Sequence, residues 1–522
     1  MSNYTFGANL IENLTTGLYK NALNTFREYI QNSCDAIDKA IYAGTMQREE
    51  GKIEITIEPD KRRIIIEDNG TGISTKYFRR IMTDIASSDK NLQTDRGFRG
   101  IGRLCGLAYC RELVFRSTAK GDDKESMLIF DAEKLRSRFY GEKKYTAAQV
   151  LDEIISFDTI HADTDEHFFK VELIDIAETN KDLLDVEKVR EYLSFVAPVE
   201  YINNFVTLFK GQEIYQHAKE LGFKIDEYRI FVNGEPVVKP YKTNYKTSLG
   251  SNEIFDLYFR DFYDADNNLI AWSWIGLSTF KGVIEQTKEN PNNKMRGIRL
   301  RAGNIQIGDE NALRDLFKED RGTTYFIGEV YAVDKNLIPN SQRDYFVEND
   351  ARNIFEAKLR EYFEELHKLY HGAADIRSAF REKNKPIIAE QIFSQHPLEY
   401  QKKHKVEHDE EIVSLTKKAA SADKKINKRI DEARGKADSS FWLKVYQRTI
   451  DEAKKIPTDP PEELNPIRGG TDNSVTPQKK FPPSGWSREK KKLYAEIYEV
   501  IIKNPKLAGE KLLDKIKEEL TK

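Results

Sequence analysis

The chain has 522 residues, 39% hydrophobic and 11% aromatic, so it can bury sizeable cores and is too long for a single one; about two to four domains follow. Charged residues make up 32% but the formal net charge is only −3, which excludes a global field made for nucleic acid or acidic substrates. Three cysteines, Cys34, Cys105 and Cys110, have no paired metal-ligand spacing and read as reduced packing residues. The opening Met-Ser-Asn-Tyr-Thr-Phe-Gly lacks a basic region followed by an apolar one, and no run of about 18 apolar residues occurs, so a cytoplasmic, soluble protein is expected.

Residues 8–43 read as helical. Within them Phe26, Ile30 and Ile37 recur at i, i+4 and i+11, an apolar stripe that packs. Glu28, Asn32 and Asp35 recur at i, i+4 and i+7 on another side of the same helix. By itself that stripe is a solvated polar face, the default for a surface helix. An acid, an amide and another acid in line are also able to position a water and a hydrated Mg²⁺.

Lys52–Glu58 alternates with period two, Pro59-Asp60-Lys61 turns, and Arg63–Asp68 forms the return strand, which ends in an acid. Asp68-Asn-Gly70-Thr-Gly72-Ile73 follows, with glycines where a backbone can approach a ligand closely. A polar stretch leads into Arg96-Gly97-Phe98-Arg99-Gly100-Ile101-Gly102-Arg103, opening an apolar helix Leu104–Tyr109. This is the composition of a phosphate-cradling loop at a helix N-terminus. Each glycine tract alone is weak, because many turns and helix entries use Gly. The order of the three tracts carries the signal.

In that order the chain resembles the GHKL ATPase superfamily, the group of gyrase B, the ninety-kilodalton heat-shock chaperones, histidine kinases and MutL. The likeness covers the first third of the chain closely. Arg27-Glu28 through Asp35-Ala36-Ile37-Asp38-Lys39 is similar to the chaperone helix, Asp68-Asn-Gly-Thr-Gly-Ile and Gly97-Phe-Arg-Gly100 to MutL, and the Gly-Ile-Gly-Arg-Leu continuation to MORC-type and bacterial chaperone-like ATPases.

The resemblance implies an α+β chain: a Bergerat-type ATP-binding α/β sandwich, a transducer-type β/α domain, and a helical C-terminal region. It implies ATP and Mg²⁺ as ligands. Glu28 would act as the general base on water, Asn32 would hold Mg²⁺, and Asp68 would accept the adenine amino group. Gly70, Gly72 and Ile73 would line the nucleotide, while Gly97, Arg99, Gly100, Ile101 and Gly102 would close over the phosphates. Two departures stand out. Phe168-Phe169-Lys170 occupies the stretch where the family places a Gly-Thr beside adenine, and the lid between Asp84 and Gly102 is shorter than in the heat-shock chaperones.

A helix over 186–200, broken at Ala197-Pro198, closes the first domain, expected as 1–185. The second, 186–385, has strands at Tyr228–Val232, Ile254–Arg260, Ile270–Gly276, Gly297–Ile307 and Tyr325–Val333, then an amphipathic helix Val347–Leu369. Leu337-Ile-Pro-Asn340-Ser-Gln-Arg343-Asp344 resembles the chaperone loop whose arginine reaches the γ-phosphate, so Arg343 joins Glu28 as a catalytic candidate.

Residues 386–455 read as helical with weak coiled-coil character, since Val406, Val413 and Ala420 are spaced by seven and Gly435 interrupts. Phe441–Tyr446 is an aromatic cluster that suits either a partner chain or a local core. A flexible linker over 456–486 precedes amphipathic helices over 487–522, which need a partner to bury their apolar faces. No internal repeat is visible.

The expected function is a chaperone-like, ATP-gated homodimeric clamp on a protein client. The alternative is a MORC- or MutL-like ATPase engaging DNA in repair or defence, through lysines such as Lys402, Lys403, Lys417, Lys418, Lys490, Lys491 and Lys492. Those lysines alternate with acids, as a solvated helix face does.

Overall fold

The structure is a computed structural model, and it describes residues 21–84, 102–139, 145–202, 205, 213–284 and 294–455. The chain divides into two compact units, 1–387 with 409–458, and 388–408 with 459–522. The described part of the second unit is helical, and in it Phe393 stacks on His408 with ring centroids 3.7 Å apart. The first unit holds the features below. The fold is mixed α/β, with a sheet-rich N-terminal region and a helical C-terminal one.

The N-terminal sheet has eight strands in the order β5-β4-β3-β6-β2-β1-β7-β8. These are β1 (Lys52–Glu58), β2 (Arg63–Asp68), β3 (Glu112–Thr118), β4 (Lys124–Asp131), β5 (Ile155–His161), β6 (Phe168–Ile174), β7 (Arg229–Val232) and β8 (Glu235–Pro236). Alternation sets the faces: Ile53, Ile55 and Ile57 of β1 and Ile64 and Ile66 of β2 point into the core. Asp68 falls next on the inward face of β2, so the strand period itself buries a carboxylate. The helix Asn24–Tyr42 packs Phe26, Ile30, Cys34 and Ile37 against this core. All three cysteines are buried and unbridged.

The strand β7 lies beyond the expected division at 185, yet it pairs in parallel with β1. Its Ile230 and Val232 belong to the N-terminal core, and the Asn233 amide bonds both the N–H of Ile57, at 2.7 Å, and its carbonyl, at 3.0 Å. A short strand with two buried aliphatics cannot stand alone, and the open edge of β1 is where it gains a ladder.

A second sheet runs β11-β12-β15-β13-β14, from β11 (Asp256–Tyr263), β12 (Leu269–Leu277), β13 (Gly297–Ala302), β14 (Ile305–Ile307) and β15 (Ile327–Ala332). The separate pair β9 (Asn244–Thr247) and β10 (Gly250–Glu253) is antiparallel. The single strand expected over Gly297–Ile307 is a hairpin, because Gly303 and Asn304 both adopt positive φ, 56° and 58°. The segment expected as a helix at Leu104–Tyr109 is a 3₁₀ stretch, Gly102–Ala108. One face of the second sheet is covered by a helix longer than expected, Asp350–Gln395, whose stripe Phe355, Leu359, Tyr362, Phe363, Leu366, Leu369 and Tyr370 continues through Ala373 and Ile376.

Helices Leu398–Arg434 and Ser439–Lys455 are separated where Gly435 predicts a break. Phe441, Trp442, Val445 and Tyr446 are buried in the core of the second sheet, with Phe441 stacked on Tyr258 at 4.0 Å, so the aromatic cluster is a local core. Val406 and Val413 are exposed, so the sevenfold stripe is not a seam among the described residues. The expected linker and C-terminal helices lie outside the described residues. Among the described residues, no helix is long and apolar enough to cross a membrane.

Candidate nucleotide site

Helix Asn24–Tyr42 has two buried faces rather than one. Beside its apolar stripe, Glu28 is 6% and Asp35 3% exposed, while Asn32 is half-buried. A carboxylate kept from water needs partners. Glu28 Oε1 lies 3.3 Å from Arg343 Nε and 3.5 Å from Arg27 Nε, while a Cβ added at Gly102 would stand 2.6 Å from Glu28 Oε2. Gly102 is thus the residue that lets the chain leaving the glycine tract pass against the Glu28 carboxylate.

Arg343 comes from the loop after β15, more than 300 positions along the chain. Its backbone is in the left-handed region, φ 53°. The loop is held open in that shape by Gly308 N–H donating to Arg343 O at 2.9 Å, Arg343 N–H to Asn340 O at 3.2 Å, and Asn340 Nδ2 to Asp344 Oδ1 at 2.5 Å. Arg27 then grips it from the helix, donating from Nη2 to Gln342 O at 3.0 Å and from Nη1 to Arg343 O at 3.4 Å. One helix therefore carries Glu28 and also fixes the loop that brings Arg343 to it.

At the other end of the site, Asp68 is 1% exposed. Its Oδ1 accepts from Gly70 N–H at 3.0 Å, but Oδ2 is out of solvent with no hydrogen-bond partner among the described residues. Burial raises its pKa to about 7 against the lowering effect of Ser33 and Gly70. An orphaned buried acceptor is costly unless a ligand donates to it. The residues present therefore fit a nucleobase amino group.

The glycines of the Asp68 tract have protein neighbours. A Cβ at Gly70 would meet the Ala36 backbone at 2.6 Å, and Gly72, at φ +62°, would meet Thr118 O at 1.9 Å. Their smallness brings the loop onto the helix and onto β3. Ile73 N–H donates to Ser117 Oγ at 2.8 Å, and His167 Nδ1 lies 2.7 Å from Gly70 O. The strand opposite Asp68 presents Phe169, and on its other side the ladder pairs Phe169 with Ser117 and Phe168 with Thr118. Those two hydroxyls bond to Phe168 O and Lys124 O.

Gly97, Arg99, Gly100 and Ile101 lie outside the described residues. The tract's two ends are joined: Arg103 donates to the carbonyls of Ile81 and Asp84, and Tyr29 of the helix donates to Arg103 O at 3.0 Å and accepts from Gly106 N–H at 3.1 Å.

The structure thus brings Glu28, Gly102 and Arg343 together. Asn32 and Asp68 lie along and against the same helix. Arg27, Ser33 and His167 join them without having stood out in the sequence. Arg27 adjoins Glu28 and Ser33 adjoins Asn32, but their carbonyl and carboxylate partners are set by long-range pairing that no local pattern encodes.

Residues 22–163 match a family model described as histidine kinase-, DNA gyrase B-, and HSP90-like ATPase. The chain is similar to chaperone protein HtpG of Campylobacter jejuni subsp. doylei, 23% identical over 402 residues, covering 69% of this chain and 58% of that protein. It is also similar to chaperone protein HtpG of Geobacter metallireducens, 22% identical over 414 residues, 73% and 59%. A shorter match to chaperone protein HtpG of Helicobacter hepaticus is 27% identical over 133 residues, 22% of each. The chain spans just under three fifths of the length of the first two relatives. The matched segment holds the site helix, the Asp68 tract and strands β1 to β5 of the sheet, so the family model and the HtpG relatives together support a GHKL-type, HSP90-like ATPase.

Proposed function

We propose that the chain hydrolyses ATP to ADP and phosphate in a Mg²⁺-dependent reaction and uses the cycle to close and open a homodimeric clamp on a protein client. The observation that carries this reading is the Glu28–Arg343 ion pair, 3.3 Å between the helix Asn24–Tyr42 and the loop after β15. A buried acid within reach of a guanidinium joins the two groups phosphoanhydride hydrolysis needs: one to take a proton from water, one to stabilise charge gathering on the phosphate.

Glu28 is the general base. Asp68 Oδ2 accepts the adenine amino group, with Gly70 N–H holding the other carboxylate oxygen. Gly70, Gly72 and Ile73 shape the wall beside the base, and Gly97, Arg99, Gly100, Ile101 and Gly102 close the phosphate end. Asn32, one turn beyond Glu28 on the helix, is the Mg²⁺ ligand; the ion, when bound, neutralises phosphate charge. The HtpG relatives are named as chaperones, which supports a protein client.

Glu28→Ala should abolish phosphate release while leaving nucleotide affinity within a few-fold of wild type, measured by coupled turnover and by calorimetry. Retained turnover in that variant overturns the mechanism.

A further inference from the structure

The long helix Asp350–Gln395 carries His367 and His371, spaced i, i+4 and so on one face. Opposite them stands Glu319, from the segment between β14 and β15. One donor atom from each of the three lies within 4.8 Å of the other two, the one such group of three metal-type ligands found among the described residues. His371 Nε2 is 3.9 Å from Glu319 Oε1, beyond hydrogen-bond reach, and it is out of solvent without a hydrogen-bond partner. The other carboxylate oxygen, Oε2, is taken by Arg321 Nε at 2.7 Å, which fixes the carboxylate and leaves Oε1 for the histidines. His367 Nδ1 is 3.0 Å from the Tyr370 hydroxyl. When that N–H donates to the hydroxyl, the lone pair is left on Nε2, the arrangement that a metal-bound imidazole adopts with an oxygen behind it.

The scaffold under these groups is stiff. Phe317 stacks on Phe363 at 4.1 Å and Tyr325 on Tyr370 at 4.3 Å, so aromatic pairs on both sides of Glu319 hold its segment to the helix.

We propose that Glu319, His367 and His371 bind a Zn²⁺ ion that clamps the 313–325 segment onto the long helix, with a fourth position left to water. Two imidazoles and one carboxylate oxygen are a borderline-soft set suited to zinc over Mg²⁺ or Ca²⁺. Zinc bonds of about 2.0–2.2 Å put donors roughly 3.3–3.6 Å apart, so these donors need to draw in by about an ångström, within reach of side-chain rotation. The site is separate from the nucleotide residues and stands without the ATPase reading. Arg321 and the neighbouring Lys318 oppose a cation, and the carboxylate offsets one of those charges.

The test uses the full chain stripped by chelator and titrated with Zn²⁺ by calorimetry, with Co²⁺ as a visible reporter of tetrahedral coordination. One zinc per chain is expected, lost in His367→Ala/His371→Ala and in Glu319→Gln, and retained in a His396→Ala/His404→Ala control. Tyr370→Phe should weaken binding about ten-fold or more as a positioning residue. Each variant's fold is checked by circular dichroism, and Glu319→Gln, on a half-buried side chain, serves where the double variant fails to fold. A wild type that takes up no zinc, or a folded Glu319→Gln that binds it undiminished, overturns the proposal.

Discussion

At the scale of single residues, Asp68 links burial to pH. Its carboxyl titrates at about 7 in the folded chain against an ordinary 3.8, so between these values the folded state holds a proton that the unfolded state releases. Stability from this group is therefore full below about pH 4 and falls as pH rises toward 7, by a few kcal/mol over the window. Nucleotide reverses the preference, because an amino group donating to Oδ2 favours the carboxylate. ATP affinity should rise with pH from about 5.5 to 7 and level off above it. Binding near pH 6 should release a proton, seen as a calorimetric heat that depends on buffer ionisation enthalpy. Asp68→Asn should lose binding and the proton release together. A flat affinity profile in the wild type would separate Asp68 from the base.

Arg343 makes the matching case at the phosphate end. Arg343→Ala should cut turnover by about 10³-fold with little change in nucleotide affinity. Arg343→Lys should recover only part of the loss, since a point charge lacks the planar fork. An unchanged rate in Arg343→Ala would mean that the pair with Glu28 is structural only.

At the scale of elements, the second sheet is built around a charge that has no exposure at all. Glu329 of β15 meets Arg301 of β13 at 2.5 Å and Lys239 at 3.5 Å, and it accepts from Tyr201, Tyr241 and Tyr331. Burial alone would raise this carboxyl; Arg301 and Lys239 outweigh it and bring it down to about 2. Lys239, pressed by burial and by Arg301, falls to about 7. Removing one partner of such a group strands the others: Glu329→Gln should cost about 3–5 kcal/mol in denaturant unfolding, more than any exposed pair would. A loss below 1 kcal/mol would show that water reaches the cluster.

This network was invisible in the sequence, because Lys239, Arg301 and Glu329 lie on three separate segments with no shared period. What was legible is what one element's own period encodes. The helical repeat put Glu28 and Asn32 on one face and alternation gave the strand Arg63–Asp68, while the roles of Glu28 and Asn32 came only through the resemblance to the ATPase superfamily. Arg343 stood out through the resemblance of its loop, with Asn340, to the chaperone loop. The hairpin at Gly303-Asn304 carried a turn signal inside what reads as one long strand. The return of β7 to the first sheet had no local signal, since an edge pairing is decided by the partner strand.

At the scale of the molecule, one chain already places Arg343 on its own Glu28, through a loop that its own Arg27 holds. Under the proposed mechanism, hydrolysis would need no arginine from a second chain, and dimerisation would serve closure rather than complete the site. The two roles are separable by mass and rate. Full-length chain should sediment as a dimer with or without a non-hydrolysable ATP analogue. A chain stopped near 455 keeps both cores and the site; it should be monomeric alone, retain measurable turnover, and associate only when the analogue is bound. Its turnover per chain should then rise with protein concentration, because association favours the closed state by mass action. A full-length chain that stays monomeric in every condition removes the clamp and leaves the ATPase standing, whereas a truncated chain with no turnover at any dilution places part of the site outside residues 1–455.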